Sequence, residues 1–249
     1  MAIKIKTKKE IAIMKSGGSI LAEILNTLAE SVKPGITTKE LDDKAGDLCK
    51  KFNVIPAFKG YQGYEANICT GIDDVAVHGI PSPEEYTVEG QIISIDMGII
   101  YQDFYLDSAL TVPVGNVDDD AIRLLETTKL ALSKSIELSV EGNTVGDIGY
   151  AIQTIAELAG FNVITQMTGH GIGRSLHEEP YIPCFGEQGT GPVLKEGMTI
   201  AIEPMINEGL SEIEMLDDGW TTLTVDGKRS AIFEHTIAVG KTKAKILTR

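Results

Sequence analysis

Two acids stand inside stretches that otherwise read as buried strands. Ile92-Ile93-Ser94-Ile95-Asp96-Met97-Gly98-Ile99-Ile100 places Asp96 at the middle of one, and Phe104-Tyr105-Leu106-Asp107-Ser108-Ala109-Leu110-Thr111-Val112 places Asp107 inside the next. A tight turn at Tyr101-Gln102 sets Asp96 directly opposite Asp107. Two like charges that close repel unless one is protonated or a cation lies between them. Thr199-Ile200-Ala201-Ile202-Glu203-Pro204 and Ala231-Ile232-Phe233-Glu234-His235-Thr236-Ile237-Ala238-Val239 repeat the anomaly with Glu203 and Glu234. Buried unpaired carboxylates are expensive, and no Lys or Arg lies in these strand cores. Divalent cations resolve the conflict. Four carboxylates and one imidazole suit two such ions, and an oxygen-rich set without thiolate suits Mn, Fe(II), Co or Zn.

The chain has four histidines. Glycines flank His170 in Met167-Thr168-Gly169-His170-Gly171-Ile172-Gly173, so the backbone can approach closely and the ring stays accessible. His170 is the expected fifth ligand. His78 follows Val77 and His177 follows Leu176 at matching places before two of the acidic strands. Both read as groups facing a substrate or supporting the ligands. His235 neighbours Glu234 on a strand, so it points to the opposite face and reads as structural.

Elements must hold these residues, and the chain spells them twice. Ile11, Met14, Leu21, Leu25, Leu28 and Val32 follow helical spacing behind a Thr7–Glu10 capping pattern, and Leu41, Ala45, Leu48 and Phe52 mark a second helix from about Thr38. Ile122, Leu125, Lys129, Leu132 and Ile136 mark a third helix, and Ile148, Ile152, Ile155 and Ala159 a fourth. Each helix pair is followed by the same tetrapeptide, Phe52-Asn53-Val54-Ile55 and Phe161-Asn162-Val163-Ile164. Gly90 and Gly197, and Asp96 and Glu203, are 107 positions apart. The expectation is two α/β halves related by a pseudo-twofold axis, over about 8–115 and 119–240, forming one catalytic domain over 1–249.

Composition narrows the class. The chain has 249 residues, 43% hydrophobic and 23% charged, which fits a folded globular protein. Its net charge of −14 argues against a direct nucleic-acid role. Three cysteines without a CxxC pattern favour a reducing compartment, and MAIKIKTKKE shows no secretory apolar region. The longest uncharged stretch, Leu158 to Gly173, is too glycine-rich and polar to span a bilayer. A cytoplasmic protein is the expectation.

Taken together, the motifs resemble those of the type I methionine aminopeptidases, which have the pita-bread fold. Ala57 with Gly60-Tyr61-Gln62-Gly63-Tyr64, Asn67-Ile68-Cys69-Thr70, Val77-His78-Gly79 and Asp96-Met97-Gly98 with Asp107 carry the resemblance. Gly169-His170-Gly171-Ile172-Gly173 with His177-Glu178, Ile202-Glu203-Pro204-Met205 and Phe233-Glu234-His235-Thr236 extend it almost to the end of the chain. The resemblance implies an α/β (α+β) fold, with antiparallel sheet from both halves around a central dimetal site. It implies removal of the initiator methionine from nascent proteins whose second residue is small, by metal-assisted hydrolysis. Asp96, Asp107, His170, Glu203 and Glu234 would hold two divalent ions, Asp107 and Glu234 bridging. His78 and His177 would touch the substrate at the scissile peptide, and Glu203 would shuttle the proton. Tyr61, Tyr64, Cys69, Leu176, Met205 and Trp220 would surround the methionine side chain.

Two positions depart from the family pattern. Leu176 stands where a phenylalanine is common, and Ile232 where a glutamine is common; both bear on the pocket and neither on a ligand. The partners implied are nascent polypeptide N-termini, with transient ribosome encounters, no membrane and a monomeric chain. Two rivals use the same fold. Proline-specific peptidases carry a large extra N-terminal domain, for which the sixty or so residues before the first motif leave no room. Non-catalytic binding modules lose ligands, and this chain keeps all five.

Overall fold

Helix α1 (Lys8–Ala29) starts where its sequence says it should. Thr7 accepts a hydrogen bond from the Glu10 amide while the Glu10 carboxylate accepts from the Thr7 amide. The same reciprocal cap, Thr37 with Glu40, opens α2 (Thr38–Phe52), which ends at left-handed Asn53. The computed structural model describes residues 3–249. After α2 come β1 (Ile55–Pro56), β2 (Cys69–Ile72), β3 (Val75–Val77), β4 (Ile92–Tyr101) and β5 (Phe104–Pro113). The second half opens with α3 (Asp119–Leu138) and α4 (Val145–Leu158). Its strands are β6 (Asn162–Val163), β7 (Thr168–Gly171), β8 (Glu178–Pro183), β9 (Thr199–Ile202) and β10 (Met205–Asn207). The chain closes with β11 (Ile213–Met215), β12 (Thr222–Thr224), β13 (Ser230–Ile232), β14 (His235–Ala238) and β15 (Lys245–Ile246). Among the described residues, no helix is long and apolar enough to cross a membrane.

The β4–β5 hairpin corrects the expected register. Tyr101 pairs with Phe104, so the turn is Gln102-Asp103, both left-handed at φ 48° and 63°. Two such residues make the turn whose twist matches antiparallel strands, and an aspartate tolerates that conformation better than a tyrosine. Asp96 therefore faces Ala109, and Asp107 faces Gly98. The shift is two residues, so both acids still share one face of the sheet, as diagonal neighbours.

Helix α3 shows a second correction. Its buried face runs through Ala121, Leu124, Leu125, Thr128, Ala131, Leu132, Ser135 and Ile136, while Ile122 and Lys129 are exposed. Thr128 and Ser135 enter the core because their hydroxyls donate to the helix's own carbonyls, at Leu124 and Leu132. Lys129 lies outside, its Nζ 4.9 Å from the Phe233 ring centroid.

The repeated tetrapeptide is not in structural register. Asn53 caps α2, whereas Asn162 begins β6, and the left-handed residue after α4 is Gly160. The ladders align differently: β1 meets β4 at Ile55–Ile100, and β6 meets β10 at Asn162–Asn207. That is the 107-residue offset of Gly90 and Gly197, both left-handed at φ 94° and 89°.

Hydroxyl side chains join the halves at the centre. Thr111 Oγ1 donates to the Ile232 carbonyl and accepts from its amide. Ser108 Oγ donates to the Glu234 carbonyl, and Thr236 Oγ1 bonds both the amide (3.0 Å) and the carbonyl (2.7 Å) of Asp107. All are buried. Thr236→Val keeps the shape but strands a buried donor and acceptor, so it should lower unfolding free energy by about 2–4 kcal/mol. Urea denaturation measures this; a loss under ~0.5 kcal/mol would remove Thr236 from the list of groups holding the halves together.

Candidate active site

The five expected ligand residues meet on the floor of one cavity of about 350 Å³. Asp96 and Asp107 come from β4 and β5. Glu203 follows β9 and Glu234 precedes β14; the ladder continues from Ile202–His235 to Met205–Ile232, which puts the two glutamates opposite each other. His170 stands on β7 beside Ala201 of β9. Its Nε2 lies 3.7 Å from Glu203 Oε1 and 3.9 Å from Asp107 Oδ2. One ligand atom each from Asp107, His170 and Glu234 lie within 4.8 Å of one another. Gly169 and Gly171 earn their places here, since a Cβ at either would strike the neighbouring backbone at 2.5 and 2.2 Å.

The electrostatics are those of a cation site. Burial pushes the carboxyls of Asp107, Glu234 and Glu203 well above the usual range, and the neighbouring acids push them further. Burial raises Asp96 as well, against the pull of hydrogen bonds from Asp107 and the Met97 amide. None of the ion pairs among the described residues joins these four to a Lys or Arg. Burial, with a smaller contribution from His177, lowers His170 to about 3, so its imidazole is neutral and free to ligate. Asp96 Oδ1 and Glu234 Oε1 are buried without a hydrogen-bond partner. Four clustered carboxylates, a neutral imidazole and two unpartnered acceptors fit hard or borderline divalent cations.

Both histidines expected to face a substrate, His78 and His177, line the same cavity. His78 adopts a left-handed backbone at φ 59°, and the carbonyl of the next residue, Gly79, accepts from the Tyr64 hydroxyl at 3.0 Å. Trp220 meets Tyr64 edge-on at 5.0 Å and His78 at 6.5 Å. Burial lowers both His78 and His177 from the ordinary histidine value. His235 faces away as its strand position requires, with Nδ1 3.0 Å from Thr248 Oγ1, and burial with Arg249 and Lys15 lowers it to about 4.

Tyr61, Tyr64, Cys69, Leu176, Met205 and Trp220 all line the cavity. Cys69 stands directly across the β2–β4 ladder from Asp96. Ile232 is not among the lining residues; it pairs with Met205 across the β10–β13 ladder and lines a small adjoining pocket with Cys69, Val77, His78 and Asp96. Sequence reasoning missed Phe58, Gln62, Val77, Gln166, Met167 and Thr168. Phe58 packs where a Cβ on Gly98 would be, at 2.8 Å, which makes Gly98 its only visible signal. The Gln166 amide bonds both the carbonyl and the amide of Ile213, fastening β11 to the cavity rim; nothing in its neighbours announces that.

With the geometry in hand, comparison with known proteins is direct. Residues 12–241 match metallopeptidase family M24. Methionine aminopeptidase 1 of Bacillus subtilis is 46% identical over 244 residues, 98% of each chain. A crystal structure of methionine aminopeptidase from Thermotoga maritima is 44% identical and superposes over the whole of both chains with a TM-score of 0.98. A prolidase from Pyrococcus furiosus shares 25% identity at a TM-score of 0.76, but this chain covers 65% of it. Full-length likeness on one side, and a partial likeness to a longer enzyme on the other, lead to one assignment: the chain belongs to metallopeptidase family M24 and, within it, to the methionine aminopeptidases.

Proposed function

We propose that this chain removes the initiator methionine from nascent polypeptides whose second residue is small. The observation that carries the reading is the five-residue donor set on the floor of a cavity walled by Leu176, Met205, Tyr64 and Trp220. Asp96, Asp107, His170, Glu203 and Glu234 would hold two divalent cations, with Asp107 and Glu234 the most deeply buried of the four acids. When bound, the cations supply Lewis acidity that makes a water nucleophilic near neutral pH.

The protein's own groups do the rest. An unbranched thioether fits an apolar wall, where sulfur–aromatic contacts to the Tyr and Trp rings contribute ~0.3–1.5 kcal/mol. Leu176 in place of a ring gives up one such contact, so methionine is preferred over norleucine by a narrower margin. Glu203, partly open to the cavity, takes the proton of the attacking water and passes it toward the leaving nitrogen. His177 donates to the carbonyl oxygen, and His78 serves the departing amide.

Residues 1–249 act in this reading as one catalytic domain, since the repeats over about 8–115 and 119–240 each contribute ligands. Three buried, unbridged cysteines suit a cytoplasmic setting. There the chain works as a monomer on N-termini emerging from the ribosome, with brief encounters that suit its acidic surface.

A peptide panel tests the reading. With Mn(II) or Co(II), the protein should release methionine from Met-Ala-Ser, leave Met-Leu-Ser nearly intact, and not cleave Ala-Pro. Hydrolysis of Ala-Pro in preference to Met-Ala-Ser would replace the reading with the proline-specific one.

A further inference from the structure

The turn that carries Tyr61 has an unusual backbone. Gly60, Gln62 and Gly63 are left-handed, at φ 88°, 49° and 91°, and of these only the glycines adopt that conformation without strain. The amide of Tyr61 bonds the Phe58 carbonyl, and that of Tyr64 the Tyr61 carbonyl, which locks the turn. The result aims Tyr61 across the cavity, from the first half of the chain to the second. Its hydroxyl lies 2.7 Å from Nδ1 of His177, and the two rings meet edge-on at 5.4 Å. The His177 ring also meets that of His170 edge-on at 4.4 Å.

A neutral imidazole has one N–H, and which nitrogen carries it depends on what the other nitrogen bonds. A phenol gives its proton more readily than it accepts one. Among the described residues, Nδ1 of His177 is the one hydrogen-bond partner of the Tyr61 hydroxyl. We propose that Tyr61 sets the tautomer of His177: its hydroxyl donates to Nδ1, which leaves the ring proton on Nε2, where it serves as a hydrogen-bond donor to the substrate carbonyl oxygen. Tyr61 thus acts through His177 as a positioning residue, beyond any part it has in lining the cavity. The consequence for turnover rests on the methionine aminopeptidase reading; the tautomer itself does not.

Nitrogen-15 histidine labelling tests it. Two-bond proton–nitrogen correlation spectra distinguish the tautomers, and His177→Ala identifies the His177 signals. In metal-free and zinc-loaded wild-type protein, Nδ1 should be unprotonated and Nε2 protonated. Tyr61→Phe should give a mixture or the opposite tautomer, with kcat on Met-Ala-Ser lower by ~10-fold, KM within ~2-fold and metal content unchanged. Protonated Nδ1 in the wild type overturns the proposal without any variant, and so does a Tyr61→Phe protein with unaltered tautomer and kcat. If the wild type releases no methionine with any metal, the functional reading falls, and the wild-type spectrum still decides the tautomer.

Discussion

Asp107→Asn should reduce methionine release to background at saturating Mn(II) or Co(II). The amide keeps the shape but loses the charge and one set of lone pairs on the acid that lies within 4.8 Å of both His170 and Glu234. Folding should survive. The main-chain bonds of Asp107 to Thr236 do not involve its side chain, and Asn can still accept from the Ser108 amide as Asp107 Oδ1 does at 3.0 Å. Replacing one of four clustered acids by a neutral amide also removes its repulsion with the others in the metal-free protein. Initial rates, metal content and the urea midpoint together measure this. Near-normal turnover at saturating metal would remove Asp107 from the ligand set.

His177→Ala should lower kcat by ~10²-fold or more, the usual cost of losing a positioned proton donor or oxyanion partner. Metal content should not change. The distinction matters because the His177 ring lies only 4.4 Å from that of His170, close enough for either to be mistaken for the ligand. His170 is buried and reaches two of the carboxylates through Nε2, whereas His177 bonds Tyr61 and opens to the cavity. A loss of bound metal in step with the loss of kcat would make His177 a ligand.

The site was legible because its residues break a strong local rule. An acid in the middle of an apolar strand is conspicuous, and four of them without a counter-cation name their own remedy. Even the misplaced hairpin turn did no harm to that inference. A slip of two residues keeps every side chain on its face, so Asp96 and Asp107 were brought to the same side by either register. The start of α1 was legible for a similar reason, since Thr7 and Glu10 satisfy each other's backbone amides within four residues; α2 and α4 begin with the same cap, at Thr37–Glu40 and Thr144–Asp147.

What depends on distant partners was hidden. Hydropathy favoured Ile122 over Ala121 on α3, because the buried face is filled by small and hydroxyl residues that pair with their own helix. The matching tetrapeptides misled because equivalent positions are defined by the ladders, where Asn53 answers to Gly160 rather than to Asn162. Gln166 and Phe58 reach the cavity through contacts with Ile213 and Gly98, which no local pattern marks.

The expectation for the whole site is that methionine release depends on cations held by these five residues. Its most direct test is methionine release from Met-Ala-Ser by chelator-stripped protein, followed as Mn(II) or Co(II) is added back stepwise and bound metal is counted. The stripped protein should release none, and release should recover in proportion to the metal taken up, with both lost together in Asp107→Asn. Undiminished hydrolysis by protein shown to be free of metal would contradict it.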